Sequence, residues 1–217
     1  MTGSLVVWQP VYYPNLHFLA RLNQAEEFVI FDTAEFSRQS RQHRAPIKFG
    51  GKKWLTIPIL HDSDHEAITE AKLDMSQKWP KKHLKTIKSK YGGNAPAPFG
   101  EIYNELDEGS TLPDITVPLI RELIDLFEID IKMYSASELD VPYTKGEPSN
   151  YLARLTEELG HTTYLCGQRA YENYLDQEPF KQRGIDIEIQ NWEPDWKDGN
   201  VICLDVLYEA ESPATHI

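Results

Sequence analysis

The chain has little cysteine, no long apolar run and fewer cations than anions, and each shortage closes off a class of protein. Cys166 and Cys203 are its only two cysteines in 217 residues, too few for a disulfide framework and not at a metal-binding or redox spacing. Glu35, His43, His61 and His65 likewise make no recognised metal-ligand pattern, so no metal is expected. No apolar stretch approaches the length that spans a bilayer. The N-terminal segment lacks a basic region followed by a long apolar one, so a cytoplasmic location with reduced thiols is expected. With 22 Lys and Arg against 34 Asp and Glu, the formal charge of −12 argues against general nucleic-acid binding, which depends on neutralising phosphates. There is no internal repeat and no low-complexity tract.

What is present suits one globular domain over residues 1–217, untethered only from about residue 210. Hydrophobic residues make up 41% of the sequence, and Trp, Tyr and Phe are spread throughout it, which excludes disorder. The basic residues are clustered. Six lysines fall between Lys78 and Lys90, and Arg38, Arg41 and Arg44 fall within seven positions, so a small anionic, phosphorylated molecule is a plausible partner. Any single one of those lysines is read first as a solvated surface residue. The residues themselves point to no cofactor.

The segment from Ser4 to Ile59 organises the rest. Leu5 to Trp8 is an apolar, β-branched strand ended at Gln9-Pro10. After Pro14, Asn15 caps a predicted helix through Leu16, Leu19 and Ala20, and Phe28 to Phe31 is a second strand closed by Asp32. Gln9, Tyr12, Tyr13, Asn15 and His17 follow the first strand, while Asp32, Glu35, Arg38, Arg41, Gln42, His43 and Arg44 follow the second. In a parallel sheet both groups converge on the carboxyl edge, where ligands bind.

Farther on, Ile47 to Ile59 reads as a hairpin about Gly50-Gly51, with Trp54, Thr56 and Pro58 on one face, lying over the site, and Leu55, Ile57 and Ile59 on the other. A helix starting near Ser76 puts Trp79, His83, Ile87 and Tyr91 on one side. Val117 to Phe127 and Tyr151 to Leu159 are amphipathic helices. Ile131 to Tyr134, Thr163 to Cys166 and Ile185 to Ile189 are strands. The alternation predicts an α/β fold, a mainly parallel, Rossmann-like sheet flanked by helices with an inserted β-hairpin.

The pattern Gln9-Pro10-x-Tyr12-Tyr13-Pro14 with Phe18, followed by Asp32, Phe36, Gln42-x-Arg44 and Trp54-Leu55-x-x-Pro58, resembles the WbqC-like family of bacterial proteins. The likeness continues through Trp79, His83, Tyr91, Tyr164-Leu165-x-Gly167, Phe180, Gly184-Ile185 and Asp205, and so covers essentially the whole chain. It implies a place in surface-polysaccharide and O-antigen biosynthesis and transfer of a glycine or other acyl group to an amino sugar.

The residues suggest how such chemistry would be divided. His83, which titrates near neutrality, and Asp32 are candidate catalytic residues, each able to take a proton from an attacking amine. The plain alternatives are a hydrogen-bonded packing histidine and an aspartate that pairs with Arg44 to fix its loop. The candidate substrate-binding residues are Gln9, Tyr12, Tyr13, Gln42, Arg44, Trp54, Tyr164 and Gly167, with the planar fork of Arg44 suited to phosphate or carboxylate. Cys166 invites an acyl-thioester hypothesis, against which a buried cysteine is usually inert. A noncatalytic glycan- or partner-binding protein and a nucleotidyltransferase-like enzyme remain as alternatives. The second expects a pair of histidines, where this loop has Tyr13 four residues before His17.

Overall fold

Five short strands build one parallel sheet, and the first of them lies in its middle. The computed structural model describes residues 3–48, 52–63, 66–92, 97–196 and 201–217. Strand β1 (Ser4–Trp8) pairs in parallel with β2 (Glu27–Ile30) on one side, and its opening residues Ser4 and Leu5 pair with the later strand at Thr163 and Tyr164 on the other. Its residues Leu5, Val6 and Val7 are buried because helices and neighbouring strands cover both faces, which explains the unbroken apolar run. Helix α1 (Leu16–Leu22) connects the first two strands, and Asn15 Oδ1 accepts the Phe18 amide at 3.3 Å to cap it.

An antiparallel hairpin follows, β3 (Arg44–Lys48) with β4 (Lys52–Thr56). Its predicted connection at Gly50-Gly51 lies outside the described residues, as does His65. The predicted division of faces holds along β4 and beyond it: Trp54 is 43% exposed, while Leu55, Ile57 and Ile59 are buried. Where an extended piece is expected after residue 67, the chain makes a short 3-10 turn at Ile68–Glu70 and two isolated bridges, Ile59 with Leu73 and Lys72 with Thr111.

Helix α2 (Trp79–Tyr91) begins three residues later than Ser76 suggests, with Pro80 in its first turn. Trp79, His83 and Ile87 are buried on one side, and Lys81, Lys82, Lys85 and Lys88 are exposed on the others. Helices α3 (Ala97–Asn104) and α4 (Pro113–Leu126) lead to β5 (Lys132–Ser135), which pairs with β2.

Helix α5 (Pro148–Glu158) ends at Gly160, whose φ of +76° suits glycine. Then come β6 (Thr163–Cys166), the short helices α6 (Gln168–Asn173) and α7 (Glu178–Gln182), and β7 (Asp186–Ile189) beside β6. The final helix, α8 (Cys203–Glu209), is followed by a 3-10 turn, Pro213–His216. The end expected to be untethered is held by His216, whose Nδ1 lies 2.9 Å from Asp195.

The sheet order is β5-β2-β1-β6-β7, all parallel. Successive strands move outward from β1 to one edge and then restart on its other side. The reversal falls between β1 and β6, and in sheets of this kind ligands bind beyond the carboxyl ends at such a point.

Candidate functional site

Along the carboxyl edge the side chains sort by charge. Beyond β2 and β5 lies an open cleft of about 750 Å³ whose walls include Asp32, Glu105, Asp107, Asp114, Thr111, Ser135 and Ser137. Asp32 is only 3% exposed, so its carboxylate needs donors. Among the described residues they come from one: the Ser137 amide reaches one oxygen at 2.9 Å and the Ser137 hydroxyl the other at 2.6 Å. The pairing of Asp32 is thus with the β5 end rather than with Arg44. Ser137 itself is exposed.

Beyond β1 the character changes. Gln9 Oε1 accepts Gln42 Nε2 at 2.9 Å, and Gln42 in turn binds the Ser37 amide at 2.8 Å and the Glu35 carbonyl at 3.2 Å. The two glutamines therefore brace the loop after β2 against the end of β1. A small cavity of about 150 Å³ opens beside them, lined by Trp8, Val11, Pro14, Asn15, Phe18 and Arg41. Arg41 donates to the backbone carbonyls of Arg44 and Tyr13 at 3.2 and 3.4 Å, and burial lowers its pKa. Arg44 donates to the Ser40 carbonyl at 3.2 Å and to that of Gln39, and its guanidinium lies 4.8 Å from the Trp54 ring centre. An exposed tryptophan flanked by cations overhangs the cavity side of the loop.

Tyr12 and Tyr13 lie deeper than a substrate floor would, with no exposed surface. The Tyr13 hydroxyl meets that of Tyr103 at 3.0 Å, Tyr103 meets Tyr12, and Tyr12 meets His83 Nδ1 at 2.8 Å. Burial raises all three phenol pKa values and lowers that of His83 to about 4, against a hydrogen bond to the Thr56 backbone that opposes the fall. At neutral pH the ring is uncharged and accepts from Tyr12. This chain of hydroxyls ties the loop after β1 to α2 and α3. Tyr13 also has φ of +43°, a left-handed backbone that a bulky side chain holds only when its surroundings enforce it.

On the far side of β1, Tyr164 is buried against Phe180, their ring centres 5.0 Å apart. Cys166 is buried, and burial raises its pKa. Gly167 lies against a residue that the sequence does not single out, Arg21. The Arg21 guanidinium is 4.2 Å from the Trp8 ring centre and donates through Nε and Nη2 to Gln190 Oε1 at 3.0 and 2.8 Å. No local spacing could announce this group, since Arg21 and Gln190 are 169 residues apart. His17, in the same helix, packs edge-on against Trp192 at 4.9 Å, and burial and then Arg21 lower its pKa.

Among the described residues no group of His, Cys, Asp and Glu would hold a metal ion, and no helix is long and apolar enough to cross a membrane. Fold and edge together define an α/β protein with a Rossmann-like parallel sheet, a strand reversal at β1 and β6, and a polar carboxyl edge divided by charge. More particularly, the chain belongs to the WbqC-like protein family, whose sequence model matches residues 9–201. Comparison with curated proteins and with solved structures gave no match.

Proposed function

We infer that the chain is an acyl or aminoacyl (glycyl-like) transferase acting on an amino sugar or nucleotide-linked sugar in surface-polysaccharide biosynthesis. The observation that supports this reading is the division of charge along one sheet edge. A cleft walled by Asp32, Glu105, Asp107 and Asp114 favours the cationic form of an amine. The end of β1 offers Gln9, Arg41, Arg44 and Trp54 to an anionic partner. Both neighbourhoods lie along the carboxyl edge of the adjacent strands β1 and β2, which a single nucleotide-linked sugar would span.

In this reading the acceptor binds as its ammonium, Asp32 takes one proton to free the nitrogen lone pair, the nitrogen attacks the acyl carbonyl, and the donor's leaving group departs with the electron pair and takes up the second N–H proton. Ser137 holds that carboxylate in place. Gln9 and Gln42 orient the polar substrate, while Tyr164 and Gly167 shape the adjoining strand end. His83, Tyr12 and Tyr13 act by holding the loop after β1, because their polar atoms are committed to one another.

The test is transfer itself. Purified chain is screened by thermal shift against nucleotide sugars, acyl-coenzyme A compounds and aminoacyl donors, and the stabilising pairs are incubated and the acceptor weighed by mass spectrometry. Product should appear with an amine-bearing acceptor, and Asp32→Asn should lower kcat by about 10²-fold or more, the usual contribution of a general base. Saturable stabilisation by a sugar with no product from any donor would make the chain a noncatalytic glycan-binding protein.

A further inference from the structure

We propose that Arg21 forms an oxyanion-binding fork at the strand reversal, taking a phosphoryl or carboxylate group. The proposal goes beyond the transfer reading, adding on the β6 side of β1 an anion-binding group separate from Arg41 and Arg44, and its test uses binding alone.

A guanidinium has five N–H donors in one plane. In Arg21 the edge formed by Nε and Nη2 is spent on Gln190 Oε1. Gln190 is itself fixed, because its Nε2 donates to the His17 carbonyl at 3.1 Å and its amide to the Cys166 carbonyl at 2.8 Å. The Trp8 ring supports one face of the plane. Among the described residues nothing accepts from the Nη1 and Nη2 edge, the one whose parallel donors match two oxygens of a carboxylate or phosphate.

The charge is likewise unspent. Burial lowers the Arg21 pKa to about 10, and the groups that oppose the fall are Tyr164 and Cys166, neither a carboxylate. Among the described residues no acid forms an ion pair with it. A half-buried cation held by a neutral amide and an aromatic ring keeps its attraction for an anion.

Gly167 makes room for this arrangement. A Cβ built there would come within 2.3 Å of Arg21 Nη2. Gly167 has ordinary extended backbone, φ −95° and ψ 153°, so alanine fits the chain there and conflicts only with the far end of the arginine. Gly167→Ala therefore leaves the cation in the protein and moves its fork.

The experiment titrates sodium pyrophosphate and, separately, sodium acetate into the full chain at constant ionic strength, following heat and the arginine Nε–H resonances. Wild type should bind at least one anion, with an Arg21 resonance that shifts. Arg21→Gln should bind at least about tenfold more weakly, and Arg21→Lys, which keeps charge without the fork, should be weakened as well. Gly167→Ala, folded by thermal melt, should lose affinity too. A preference for pyrophosphate would make the group phosphoryl, and one for acetate would make it carboxylate. Wild-type affinity in Arg21→Gln or in Gly167→Ala, or no binding of either anion by wild type, would overturn the proposal. Anion binding without acyl transfer would leave the fork standing and remove the transferase reading.

Discussion

His83 gives the protein a pH dependence that can be stated with its sign. Its folded pKa of about 4 lies below the usual value of 6.5, burial being the main cause, so the unfolded chain takes up the proton first. The stabilisation is complete above pH 6.5 and is lost as pH falls toward 4, by about 3 kcal/mol in all. Urea midpoints between pH 7.5 and 4.5 should fall accordingly, and His83→Gln should flatten that part of the curve. Tyr103→Phe, which leaves the Tyr12 and Tyr13 hydroxyls without their shared partner, should cost about 1–3 kcal/mol. Tyr12, Tyr13 and His83 all stand out in the sequence by residue type and motif. Tyr103 does not, because nothing local links a loop tyrosine to a helical one 91 positions on. Arg21 was hidden for the same reason: its meaning comes from Trp8, Gly167 and Gln190 meeting at one point in space.

At the scale of elements, the hairpin separates a packing role from a surface one. Leu55 is 4% exposed and its neighbour Trp54 43%. Leu55→Ala should destabilise by about 2–5 kcal/mol. Trp54→Ala should change stability by less than about 0.5 kcal/mol yet weaken binding of any ligand that packs on that ring beside Arg44. Paired urea denaturation and ligand titrations check both halves. This division could be read from alternation along the strand, as could the capped helix after Asn15 and the strand Thr163–Cys166, because those signals lie within a few residues of one another. The turn at Ile68–Glu70 could not, since isolated bridges to Leu73 and Thr111 rather than propensity set the course of the chain there.

Over the whole molecule, the C-terminal helix is fastened to the rest by charge as well as by its buried Cys203, Leu204 and Val206. Lys90 of α2 pairs with Asp205 of α8, both nearly buried, and the Tyr91 hydroxyl donates to the same carboxylate at 2.7 Å while its ring stacks on Tyr208 at 4.6 Å. Asp205→Asn should leave the Lys90 ammonium buried without a countercharge and cost about 3–5 kcal/mol. Hydrogen exchange should then speed up in α8 before it does in the sheet.

The position of β1 sets a timetable for synthesis. The strand made first needs neighbours on both sides, yet one, β2, follows within about twenty residues, and the other, β6, only after residue 162. At ordinary translation rates the interval between them is on the order of ten seconds. Any sheet formed in that interval has one side of β1 unpaired, an apolar edge open to a chaperone or to a second nascent chain. The strand that is central in the finished sheet is thus the one that waits longest for its second neighbour.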